Sequence, residues 1–143
     1  MKHVLAILAL AAAGSSVAAE GITTYTAGTS FEDATFAVES AIVGRGLVID
    51  YVSHVGDMLA RTGADVGSDV TLFEAADVFL FCSAVTSRSV MEADLMNIAY
   101  CPYGIFVADT GSEVVVGYRN FPDGAMQEVQ ALLDGIAKEA VAQ

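Results

Sequence analysis

Basic side chains are scarce in this chain: 6 Lys and Arg stand against 18 Asp and Glu in 143 residues, a formal net charge of −12 at pH 7. Arg45, Arg61, Arg88, Arg119 and Lys138 are scattered singly, so no cluster exists to hold phosphates, and nucleic acid is excluded as a partner. The same balance disfavours anionic membrane surfaces. Long apolar runs are missing too. The longest, Val4 to Ala13, falls well short of the roughly twenty residues a membrane-spanning helix needs, so no integral membrane segment is expected after processing. Only 2 cysteines and 2 histidines are present, and nowhere do they form the two-cysteine-plus-histidine run of a c-type haem site. No G-x-S-x-G turn and no phosphate-cradling glycine loop after a strand occurs, and no repeat or low-complexity tract appears.

What is present begins with an export signal. Lys2 and His3 give a short basic start, the apolar run follows, Gly14-Ser15-Ser16 breaks it, and Val17-Ala18-Ala19 offers compact residues before a cut at Glu20. The alternative is an uncleaved anchor extending to Ala19; the shortness of the apolar run favours cleavage. The expectation is therefore a signal peptide over residues 1–19, a periplasmic protein, and one domain over residues 20–143.

Along that domain, Ile22 to Thr26 reads as a strand, and Ser30 caps a helix with Glu32 and Asp33 in its first turn. Gly44 or Gly46 ends that helix, and Leu47 to Val52 is a second strand. Val55, Met58 and Leu59 suit one or two helical turns, and Asp65 to Asp69 reads as a polar loop without the spacing of a calcium site. Val78 to Cys82 is a buried strand, and a helix runs from near Thr86 to about Asn97 with Met91 and Leu95 on one face. Gly104–Ala108 and Val114–Tyr118 flank a Gly-containing turn and form a hairpin. Met126, Val129, Leu132, Leu133, Ile136 and Ala140 stripe a closing helix, with Glu128, Asp134 and Glu139 off the stripe. This order is not the strict alternation of a doubly wound sheet. It predicts an α+β two-layer sandwich, largely antiparallel, with helices on one face.

The stretch from Phe31 through Gly46 to Leu47-Val48-Ile49-Asp50, then His54, Phe81-Cys82-Ser83-Ala84, Cys101-Pro102-Tyr103, Val114 to Tyr118 and Pro122 resembles a bacterial family, domain of unknown function 302. The resemblance covers nearly all of the domain. It implies a two-layer α+β sandwich able to dimerise, and it brings no agreed biochemical activity. Cys82 and Ser83-Ala84 stand where that family often has Gly and Asn-Pro, and Cys101 replaces the usual residue before Pro102.

Export and an even count make Cys82 and Cys101 the most informative pair. They reach bonding distance only if the strand ending at Cys82 and the one starting near Gly104 run antiparallel. Three readings stay open: a disulfide closing a loop of about 20 residues, two buried thiols, or ligation of copper or haem with His54 and Met58. Met91 and Met96, five apart, point about 140° from one another and cannot both face one ion. His54 alone is equally a hydrogen-bonded structural residue, and Arg88 a solvent-facing one. Two functions follow as expectations. One is a non-catalytic periplasmic module binding a small ligand or protein in a groove near Cys82, His54 and Cys101, with Arg88, Pro102 and Tyr103 on its walls and no cofactor. The other is a thiol-redox or metal-handling protein using Cys82, Cys101 and His54. The apolar run Val114 to Val116 adds an expected homodimer.

Overall fold

In a computed structural model of the chain, residues 21–143 are described; the expected signal peptide lies outside them. Five strands and four helices follow in the order β1 (Ile22–Ala27), α1 (Phe31–Val43), β2 (Val48–Ser53), α2 (Val55–Thr62), β3 (Ala75–Cys82), α3 (Ala84–Ala93), β4 (Tyr103–Asp109), β5 (Val114–Arg119) and α4 (Gln127–Val141), with short 3₁₀ segments at Ala64–Val66 and Leu95–Tyr100. The strands form one sheet in the order β1-β5-β4-β3-β2, and every pairing is antiparallel. The architecture is the α+β two-layer sandwich that the sequence predicts.

Local chemistry sets the boundaries. Ser30 accepts a hydrogen bond from the Asp33 amide at 3.1 Å, and the helix it opens buries Ala34, Ala37, Val38, Ala41 and Ile42. Gly46, at φ +73°, turns the chain into β2. Residues of one parity along the central strands, Phe79, Phe81, Tyr103, Ile105, Val107, Val114, Val116 and Tyr118, are buried under α1 and α4. Val129, Leu133, Ile136 and Ala137 of α4 close this single core from the helical side.

Two elements differ from expectation. The helix expected to run to Asn97 stops at Ala93, because Asp94 adopts an extended conformation and its carboxylate accepts from the Met96 amide at 2.8 Å, opening a separate 3₁₀ segment. Leu95, expected beside Met91 on one helical face, is consequently 74% exposed. β3 begins three residues before Val78, since Ala75–Asp77 pair with Val107–Asp109. The expected hairpin forms, with Asp109 joining the strand opposite Val114. β5 is nevertheless an interior strand, paired with β1 on its other side, and Val114 and Val116 face the core. The hairpin thus offers no free edge for dimerisation at that run.

Candidate binding groove beside the disulfide

All helical packing on the core falls on one side, so the other parity of strand residues makes an outer sheet face. Across it, Tyr51, Leu80 and Gly104 form one row, Ser53, Val78, Phe106, Gly117 and Thr24 the next, and Ala76, Ala108, Val115 and Thr26 a third. None of these residues is ionised. The middle is aliphatic, aromatic or glycine, a pattern normally reserved for a covered surface.

Where this face meets the turn before β4, it sinks into a groove of about 360 Å³. Val78, Leu80, Gly104 and Phe106 line it from the sheet; Ala99 to Pro102 and Phe121 wall one end, and Arg119 borders it. Gly104 makes the floor: a Cβ there would sit 3.4 Å from both the Leu80 and Val78 side chains. The wall is fastened by a bond between Cys82 and Cys101, with Sγ atoms 2.11 Å and Cα atoms 6.5 Å apart. Antiparallel pairing of β3 and β4 ends at Phe81 opposite Tyr103, so the end of one strand and the approach to the next share one rim. That is the geometry on which the bond depended.

Other residues singled out in the sequence lie elsewhere. Cys82 is opposite Val48 at the start of β2, whereas His54 follows the last residue of that strand, about 16 Å further along at ~3.3 Å per residue. There its Nδ1 contacts the Asp77 carboxylate at 2.7 Å. Met58 lies on α2, beyond the same end of β2. The four residues Cys82, Cys101, His54 and Met58 therefore do not converge, and both sulfur atoms of the cysteines are engaged with each other. Among the described residues no group of three or more His, Cys, Asp or Glu side chains is placed to hold a metal ion. Arg88 is 80% exposed on α3 and pairs with Glu92 at 2.8 Å. Tyr103 is 1% exposed, turned into the core, with its hydroxyl 3.0 Å from Ser87 Oγ. Of the residues expected at the groove, Cys101 and Pro102 line it.

A polar cluster on the helical side carried no sequence signal. Asp134 of α4 points at β1 and β5, where Oδ1 accepts from Tyr25 at 2.5 Å and from Tyr118 at 2.8 Å, while Oδ2 pairs with Lys138 at 2.7 Å. Burial, then the hydrogen bond to Asp134, pushes Tyr25 up to about 12 and raises Tyr118 as well. Burial also pushes the Asp134 carboxyl up, but hydrogen bonds from Lys138, Tyr25 and Tyr118 outweigh it and hold it below the usual carboxylate range. The hydrogen bond to Asp134 in turn raises Lys138. Each group is moved away from neutrality, the opposite of what proton transfer near pH 7 requires. The cluster ties α4 to two strands.

The family described as Domain of unknown function DUF302 matches residues 22–143, which is nearly everything the structure describes. The chain belongs to that family. The crystal structure of an uncharacterized conserved DUF302 protein from Bacillus stearothermophilus superposes with a TM-score of 0.62 at 16% sequence identity, covering 87% of this chain and 95% of that one. At that identity the likeness extends to the fold. No curated protein matches. The likeness accounts for the sandwich, and the wall of the groove is held in this chain by the Cys82–Cys101 bond. No helix among the described residues is long and apolar enough to cross a membrane.

Proposed function

We propose that this DUF302 protein is a non-catalytic binding module of the bacterial periplasm, which takes a small ligand in the groove beside Cys82–Cys101. One observation carries the reading: an apolar hollow of about 360 Å³ on the sheet face away from α1 and α4, with one wall cross-linked to the strand that lines it. Small-molecule sites are concave, mostly apolar and largely pre-formed, with volumes from roughly 300 Å³ upwards. A covalently fastened wall lowers the ordering cost of binding. Gly104→Val tests this cleanly. The added side chain fills the floor against Leu80 and Val78, in a strand where a β-branched residue is at ease. Calorimetric titration with octan-1-ol as an apolar probe should show one site in the native protein and none in the variant, with the melting temperature kept or raised. Equal binding by both proteins would remove the groove from consideration.

A second reading has one observation of its own: Cys101, one half of the bond, lines the groove and is only partly buried, and exchange would start from a thiolate entering there. Thiol titration with and without reductant, on protein taken from the periplasm and checked by elemental analysis, separates the two. A bond that is fully formed and inert to glutathione supports a structural staple, whereas two titratable thiols holding stoichiometric copper would support the redox or metal alternative.

A further inference from the structure

Arg119 separates this groove from a generic apolar hollow. Of the five Lys and Arg in the described residues three are engaged: Arg45 with Glu139, Arg88 with Glu92 and Lys138 with Asp134. Arg61 and Arg119 have no carboxylate within salt-bridge distance among the described residues, and of these two only Arg119 lies at the groove. It ends β5 and borders the groove, where it is the one charged residue, next to Leu80, Gly104 and Phe106. An unpaired guanidinium beside a carboxylate-free apolar surface offers a planar fork of donors to an anion whose body is apolar.

We propose that the groove's ligand is a small apolar monocarboxylate, its hydrocarbon part on Val78, Leu80 and Phe106 and its carboxylate paired with Arg119. The inference rests on the binding reading above and specifies its ligand. The net charge of −12 opposes anions at a distance. Salt screens that repulsion beyond about 8 Å at physiological ionic strength, whereas the Arg119 contact is made at hydrogen-bond range and against apolar walls, so the local term prevails. Anionic bilayers offer carboxylate and phosphate groups too, but they meet the whole acidic surface at once, which disfavours them as the source.

Octanoate, hexanoate and octan-1-ol are the probes, titrated into the processed protein and into Arg119→Met, which keeps an apolar stem, and Arg119→Lys, which keeps a charge. Octanoate should bind about tenfold more tightly than octan-1-ol, the strength of one charge-assisted pair at a partly screened site. Hexanoate, two methylenes shorter, should bind roughly tenfold more weakly than octanoate. Arg119→Met should abolish the preference for octanoate over octan-1-ol, with Arg119→Lys intermediate. Octan-1-ol binding as tightly as octanoate in the native protein would overturn the carboxylate assignment and leave the groove standing. Failure of all three probes to bind, or binding unaffected by Gly104→Val, would overturn both.

Discussion

Removing the cross-link between Cys82 and Cys101 isolates what it contributes, and its size can be worked from the fold. The two cysteines are 19 residues apart in sequence, so the bond closes a loop of about 20 residues, which costs the unfolded chain roughly 3 kcal/mol of conformational freedom in the loop-entropy treatment. The folded state gives up little in exchange. Phe81 and Tyr103 are still paired, and α3 still caps itself through Ser83 Oγ to the Thr86 amide. The double variant Cys82→Ala, Cys101→Ala should therefore fold to the same sandwich but unfold about 1.5 M earlier in urea, taking a slope of about 2 kcal/mol per molar. Its melting temperature should fall by roughly 12 °C. Against a total stability of about 5–15 kcal/mol this is a large fraction. Urea melts of the native, reduced and double-variant proteins, followed by far-UV circular dichroism, measure it. Reduced and double-variant proteins should agree. Curves for all three within about 0.5 kcal/mol of one another would refute the argument, since the bond would then restrict nothing the unfolded chain can use.

Further outcomes follow from the same geometry. Gly117→Ala should cost about 1–3 kcal/mol in a urea melt, because its Cβ would fall 2.5 Å from the Phe106 ring and 2.7 Å from the Thr23 carbonyl oxygen, a backbone atom that cannot step aside; an unchanged midpoint would show that β1 and β5 are further apart than described. Tyr25 and Tyr118 have folded-state values above the unfolded 10.0, so the stability they confer is present below pH 10 and is lost as pH rises through their folded values, about 12 for Tyr25. Asp134 works in the other sense: its folded value lies below the unfolded one, so its contribution is present above the ordinary carboxylate range and disappears as pH falls through the folded value. Phenolate titration followed residue by residue should accordingly show Tyr25 and Tyr118 ionising late, and Asp134→Asn should bring both forward; ordinary titration of these two in the native protein would contradict the clamp. His54→Ala removes a pair in which the imidazole is 61% exposed, so it should cost under about 1 kcal/mol and leave probe binding at the groove untouched; lost binding would place His54 at the site after all.

Much of the fold was legible because its signals are local. Ser30 with Glu32 and Asp33 marks a helix start in sequence, and the same residues cap α1 in space. The turn Asp109-Thr110-Gly111-Ser112 between two β-rich segments specifies a hairpin whatever surrounds it. Asp94 was ambiguous, since a mid-helix carboxylate and a capping carboxylate look alike until the backbone chooses. Position across the sheet is a tertiary property, and here the sequence brought Cys82 and Cys101 together correctly but set His54 beside them when it lies at the far end of β2. Val114 and Val116 read as a surface run but alternate into the core, and β1, far away in sequence, covers the edge of β5. His54 and Cys82 sit at opposite ends of one strand pairing, a separation that requires the β2–β3 register to see. Arg119 carried no sequence signal beyond its charge. What distinguishes it is its place at the groove beside Leu80, Gly104 and Phe106, which only the packing of the strands determines.

Backbone amide shift mapping during an octan-1-ol titration bears most directly on the groove. The amides of Leu80, Gly104 and Phe106 should move together and saturate with one dissociation constant. Shifts confined to Tyr25, Tyr118 and Asp134, or to the hollow between Gly56 and Phe73, would put the ligand on another surface of the sandwich and contradict the account.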